Sequence, residues 1–178
     1  MLTPLGHDAL NRALQVRNEV TEGSYDLSQS WLDSVGSYVV AEESGRHLEP
    51  SESARLAGAL AAAGAQHLVA VTNDPLILKD FGYSFEPTPT NLDLFSDEFS
   101  GLSACLTTEP VLPLCALFTA NNFRLVAGPL TFVRPYVGDL SAARAEFLDF
   151  ANDPDSELDR QLKKAATRMA WIDQRFWT

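Results

Sequence analysis

Two cysteines, Cys105 and Cys115, are all that the 178 residues carry, and no CxxC spacing joins them. A disulfide framework is therefore excluded, and both read as buried free thiols of an intracellular protein. Lysine is scarcer still for its class, with three lysines against ten arginines. Basic residues of both kinds number 13 against 24 acidic ones, giving a net charge of −11 and a sequence pI near 4.5. Such a surface repels phosphate backbones and anionic headgroups, so neither a nucleic acid nor a membrane is expected as partner.

Histidine is also sparse. His7, His47 and His67 form no pair at the i, i+4 spacing of a helical metal site, and HExxH is missing. No metal and no cofactor are expected, because GxxxxGK[ST] and GxGxxG are absent as well. Long apolar runs are lacking: the longest, around Val111 to Ala120, contains Pro113 and falls short of a membrane-crossing helix. The opening MLTPLGHDALNRAL has no basic segment followed by an apolar one, as a secretory leader would. The expected compartment is the cytoplasm. Repeats and low-complexity tracts are missing, which excludes solenoids.

What is present suits a globular core. Apolar residues make up 46% of the chain and charged residues 21%. A chain of this size buries roughly 70% of the surface its unfolded form exposes. One domain over residues 1–178 is expected, with a helical part at about 1–66, a strand-rich centre at about 67–128 and helices at about 129–178.

Local patterns fill in that outline. Leu10 and Leu14 at helical spacing place a helix over 6–20, ended before Gly23. Residues 24–49 remain open between a short helix at Trp31–Val35 and a strand at Tyr38–Val40. Glu49-Pro50-Ser51-Glu52 reads as a helix start, and Gly64 as its stop. His67–Val71 is short, apolar and β-branched, a buried strand. From Thr72 to Pro110 the chain is acidic and turn-rich; 86–90 is expected to be extended, and Asn91 to cap a helix through Phe99. Leu114–Thr119 and Phe123–Ala127 flank Asn121-Asn122 as a hairpin. Asp139 caps a helix over 140–151, and Asp153-Pro154 opens a last one with Leu158, Leu162, Ala165, Met169 and Phe176 on its stripe. The sum is an α+β fold: a mostly antiparallel sheet of at least three strands, with helices from both ends of the chain packing on it.

The candidate chemistry is thin. Gly101-Leu102-Ser103-Ala104-Cys105 begins as a nucleophile elbow but ends in Cys instead of Gly. An enzyme or small-ligand site would have to assemble from distant residues, with His67, Asp74, Cys115 and Arg124 as the candidates at predicted strand ends. Carboxylates are the stronger signal. Asp93, Asp97 and Glu98 lie beside Phe95, while Asp149 and Asp153 belong to an acidic junction between the last helices. Trp177 ends the chain with an aromatic suited to a contact. Acidic groups interleaved with aromatics fit a basic protein surface, charge steering association and the aromatics anchoring it.

The sequence thus points to a non-catalytic acidic protein-binding module, acting as a monomer or homodimer. An immunity or antitoxin-type role, neutralising a basic partner, is the leading expectation. A secretion or assembly chaperone is the alternative within the same class.

Overall fold

A seven-stranded antiparallel sheet carries the molecule in a computed structural model that describes residues 1–45, 47–152 and 160–170. Its strands are β1 (Thr3–Pro4), β2 (Tyr38–Glu43), β3 (His67–Thr72), β4 (Gly82–Phe85), β5 (Ala104–Glu109), β6 (Cys115–Phe118) and β7 (Phe123–Gly128). Their spatial order is β1-β4-β3-β5-β6-β7-β2. The helices are α1 (His7–Val20), α2 (Gln29–Val35), α3 (Pro50–Ala62), α4 (Pro89–Glu98), α5 (Leu130–Val137), α6 (Leu140–Ala151) and α7 (Arg160–Ala170). This is an α+β fold, as the hydrophobic patterning indicates, with more strands than patterning alone resolves.

The sheet is buried on both faces, which explains why β3 and β7 read as continuous apolar runs. On one face, Phe95 of α4 meets Phe85 of β4 and Phe118 of β6, and α3 packs on α4 and α5. On the other, α1 lies along β3. The helices α6 and α7 pack beside β2, which among the described residues is an edge strand paired with β7 alone. There the amide of Ala41 donates to the Met169 thioether at 3.2 Å, and Phe147 of α6 meets Phe123 of β7. Covering an edge in this way removes a template for strand addition.

Ion pairs dock α7 as well. Asp26, with its side chain only 7% exposed, forms ion pairs with Arg168 at 2.7 Å and with Lys164. The basic residues of the last helix thus serve partly to tie it to the loop between α1 and α2.

Several expectations need adjustment. Thr88 caps α4 and Pro89 occupies its first turn, so Pro89 and Thr90 are helical rather than extended. Proline is tolerated there because a first-turn amide has no partner to lose. Strands β4 and β5 arise inside the stretch that reads as turn-rich. β4 requires Gly82, where a Cβ would stand 2.6 Å from the Ala70 carbonyl oxygen across the ladder. The hairpin forms as expected, with Asn122 at φ 58° in its turn. α5 runs from Leu130 through Pro135 to Val137. The expected helix start at Asp153-Pro154, and Phe176 on its stripe, lie outside the described residues. No helix among the described residues is long and apolar enough to cross a membrane.

Candidate functional site

A buried arginine organises the face beneath α3. Arg124 of β7 is 1% exposed, in register with Glu42 on β2 and Phe118 on β6. Its Nε donates to Glu42 Oε1 at 2.9 Å, and its Nη2 donates to Glu52 Oε1. The guanidinium also lies 5.9 Å from the Phe118 ring centroid. Burial works against the charged form, but the two carboxylates outweigh it and raise the guanidinium above its ordinary value.

The partners are placed by local rules. Glu52 sits in the first turn of α3, where its Oε2 accepts the Glu49 amide at 2.8 Å as one half of a capping box. Its other oxygen is left for Arg124. One turn on, Arg55 donates to Glu42 Oε2 at 2.8 Å and stacks over Tyr136 of α5, 4.8 Å from the ring centroid. The buried Tyr136 hydroxyl donates to Glu42. Four elements are thereby joined by one neutral cluster of two arginines and two glutamates.

Two concavities flank this cluster, both bordered by Gly45 and His47 of the β2–α3 loop. The larger, a groove of about 620 Å³, is lined by Glu42, Glu43, Glu49, Glu52, Asp139 and Glu146, with Arg55 its only cation among the described residues. The smaller, about 210 Å³, is lined by Arg124, His47 and Ser44, by Phe95, Phe99 and Phe118, and by no carboxylate among the described residues. His47 stands at its mouth, 56% exposed, with Nδ1 3.1 Å from Asp97 Oδ1 and Nε2 3.2 Å from Ser100 Oγ. This is the connectivity of a Ser-His-Asp relay, yet Asp97 is 71% exposed. Water competes for every bond in such a chain, so it lacks the dry, fixed orientation that activates a serine.

The carboxylates singled out by sequence are largely committed to neighbours. Asp93, half-buried, accepts the Ser53 hydroxyl at 2.5 Å and ties α4 to α3. Asp97 holds His47. Glu98 accepts the Tyr83 hydroxyl at 2.6 Å, and that bond, with burial and the Glu98 charge, raises the phenol above its ordinary value. Phe95 is a core residue, 1% exposed, ringed by Phe85, Phe99 and Phe118. Asp149 is exposed on α6. Asp153 and Trp177 lie outside the described residues.

The distant-residue set is not brought together. His67 is exposed at the start of β3, opposite Glu109, whereas Asp74 follows the other end of that strand and accepts the Leu76 amide at 2.9 Å. Cys115 and Arg124 lie on strands β6 and β7 but project to opposite faces, as register requires. Sequence reasoning missed Glu42 and Glu52 as partners of Arg124. A lone cation beside the apolar run Leu125-Val126-Ala127 was the available signal, since such a charge needs a buried counterion. Among the described residues, no group of three or more His, Cys, Asp or Glu is placed to hold a metal ion.

Cys105 and Cys115 meet inside the sheet, Sγ to Sγ 3.7 Å. The hydrogen bond shared with Cys105, then burial, lifts the Cys115 thiol well above its usual value. Thiolate is therefore depleted, and burial blocks access to the little that forms. In native buffer at about pH 8, a thiol reagent is expected to label neither cysteine, and both should react once denaturant is added. Stoichiometric labelling of the native protein would contradict this burial.

Comparison with protein-family models, curated proteins and solved structures finds no match. Fold and site together define an α+β domain with a pronounced acidic groove and a separate small pocket. Any assignment of role rests on their chemistry.

Proposed function

We propose that this chain is a non-catalytic binding module that receives a basic segment of a partner protein in the acidic groove, in the manner of an immunity or antitoxin-type protein. The observation that carries the reading is the groove itself. Its carboxylates come from β2, α3 and α6 and from the residues that cap α3 and α6, around a concave space of about 620 Å³. Glu43 and Glu146 are exposed there, in positions to meet lysine or arginine side chains. Charge of this kind sets encounter rate and specificity, and it is screened by salt.

The test uses an arginine-rich peptide as probe, titrated into the full chain at low and moderate salt. Glu43→Lys with Glu146→Lys should weaken binding by about tenfold or more and flatten its salt dependence. Asp8→Lys with Glu19→Lys changes net charge equally on α1, away from the residues that line the groove, and should cost no more than about threefold. Equal losses from both pairs would show that bulk charge, and not the groove, binds the peptide.

A further inference from the structure

The small pocket has a chemistry opposite to that of the groove beside it. In a chain of net charge −11, its lining holds an arginine and a histidine and, among the described residues, no carboxylate. Arg124 forms part of the floor, since its side chain is 1% exposed. Nε and Nη2 carry its bonds to Glu42 and Glu52, and among the described residues no protein group accepts from Nη1. Ser44 is similarly placed: it is buried, its amide donates to the Asn122 carbonyl at 2.8 Å, and its hydroxyl has no protein partner among the described residues. Neither atom is sealed from solvent, so a molecule in the pocket can replace water as its acceptor.

The rest of the lining mixes polar residues, Ser96, Thr119 and Asn122 among them, with three phenylalanines. Phe95 and Phe99 stand 5.1 Å apart between centroids, and Phe95 and Phe118 5.0 Å apart. A dry cavity of about 150 Å³ suffices for benzene, and this one measures about 210 Å³. That leaves room for one ring and a short polar substituent.

We propose that this pocket binds a small aromatic carboxylate, the ring lying against the phenylalanines and the carboxylate accepting from Arg124 Nη1 and the Ser44 hydroxyl. Because Glu42 and Glu52 already balance the two arginines of the cluster, Arg124 acts as a fixed, directional donor rather than as surplus charge. His47 at the mouth adds a second polar contact. The site is independent of the groove reading and stands or falls separately from it.

Benzoate is the probe, titrated into the isotope-labelled full chain and followed by amide chemical shifts. Saturable shifts at Leu102, Phe118 and Ser44, with a dissociation constant at or below about 1 mM, are expected. Benzylamine, of the same size and opposite charge, should bind at least about tenfold more weakly. Variants of Arg124 risk unfolding, so the pocket is tested with Ser44→Ala, which should weaken benzoate several-fold, and with Leu102→Trp, which should fill the space and abolish binding. Folding of both is checked by far-ultraviolet circular dichroism. Absence of saturable shifts up to about 10 mM benzoate would overturn the proposal. So would benzylamine binding as tightly, or benzoate binding that survives Leu102→Trp.

Discussion

Replacing Arg124 with alanine is expected to destabilise the protein by about 3–5 kcal/mol, the range for removing one partner of a buried charge pair. The cost arises less from lost attraction than from what stays behind. Glu42 and Glu52, with side chains 17% and 21% exposed, would face each other's charge with only Arg55 to compensate. The Tyr136 hydroxyl and the Arg55 stack over its ring both depend on Glu42 keeping its place. Urea unfolding measured as a midpoint shift at constant slope reads the effect. A loss below about 1 kcal/mol would mean that water reaches the cluster and screens it. The companion variant, Arg124→Met with Glu42→Gln and Glu52→Gln, removes three of the cluster's four charges while leaving an acceptor for Tyr136, and Arg55, with its side chain 37% exposed, stays hydrated. The variant should recover most of the lost stability, because uncharged groups of similar volume carry no comparable desolvation penalty.

Phe95→Ala is expected to cost about 3–5 kcal/mol as well, through a different mechanism. The ring is held between Phe85, Phe99 and Phe118 with centroids 5.0 to 5.9 Å away, so truncation leaves a void that α4 cannot close. The helix is fixed at both ends: Thr88 caps it, and the Ser96 hydroxyl accepts the Leu48 amide. Phe95→Leu, which keeps more of the volume, should lose roughly half as much. Arginine-rich peptide binding in the groove should be unchanged in the Leu variant. A Phe95→Ala protein of near wild-type stability would show that the aromatic cluster under α4 is loosely packed.

Much of the local structure was legible in the residues. Glu49-Pro50 and Asp139 mark helix starts because first-turn amides need an acceptor, and α3 and α6 begin there. Asn121-Asn122 marks the hairpin because asparagine tolerates positive φ, and β6 and β7 flank it. The α+β class followed from those periodicities. Strands β4 and β5 were hidden, because β4 is short and glycine-led while β5 directly follows a turn and ends at a proline. Their stability comes from pairing on both sides of β3 instead of from local propensity.

The site divides along the same line. The acid excess, the scarcity of lysine and the missing catalytic motifs are properties of composition, so the sequence by itself determined the electrostatic character and the α+β class. Which carboxylates stay exposed was decided by tertiary structure alone. Asp93, Asp97 and Glu98 look free in one dimension, yet Ser53, His47 and Tyr83, all distant along the chain or on another element, occupy them. Glu43 and Glu146 share no local pattern, yet they face one groove because α6 folds back beside β2. Arg124 is an ordinary strand residue by sequence, and only register with Glu42 and the first turn of α3 turn it into a buried, paired cation. Hydrogen bonds and ion pairs depend on distances of a few ångströms, and those are set by long-range packing that no local pattern encodes.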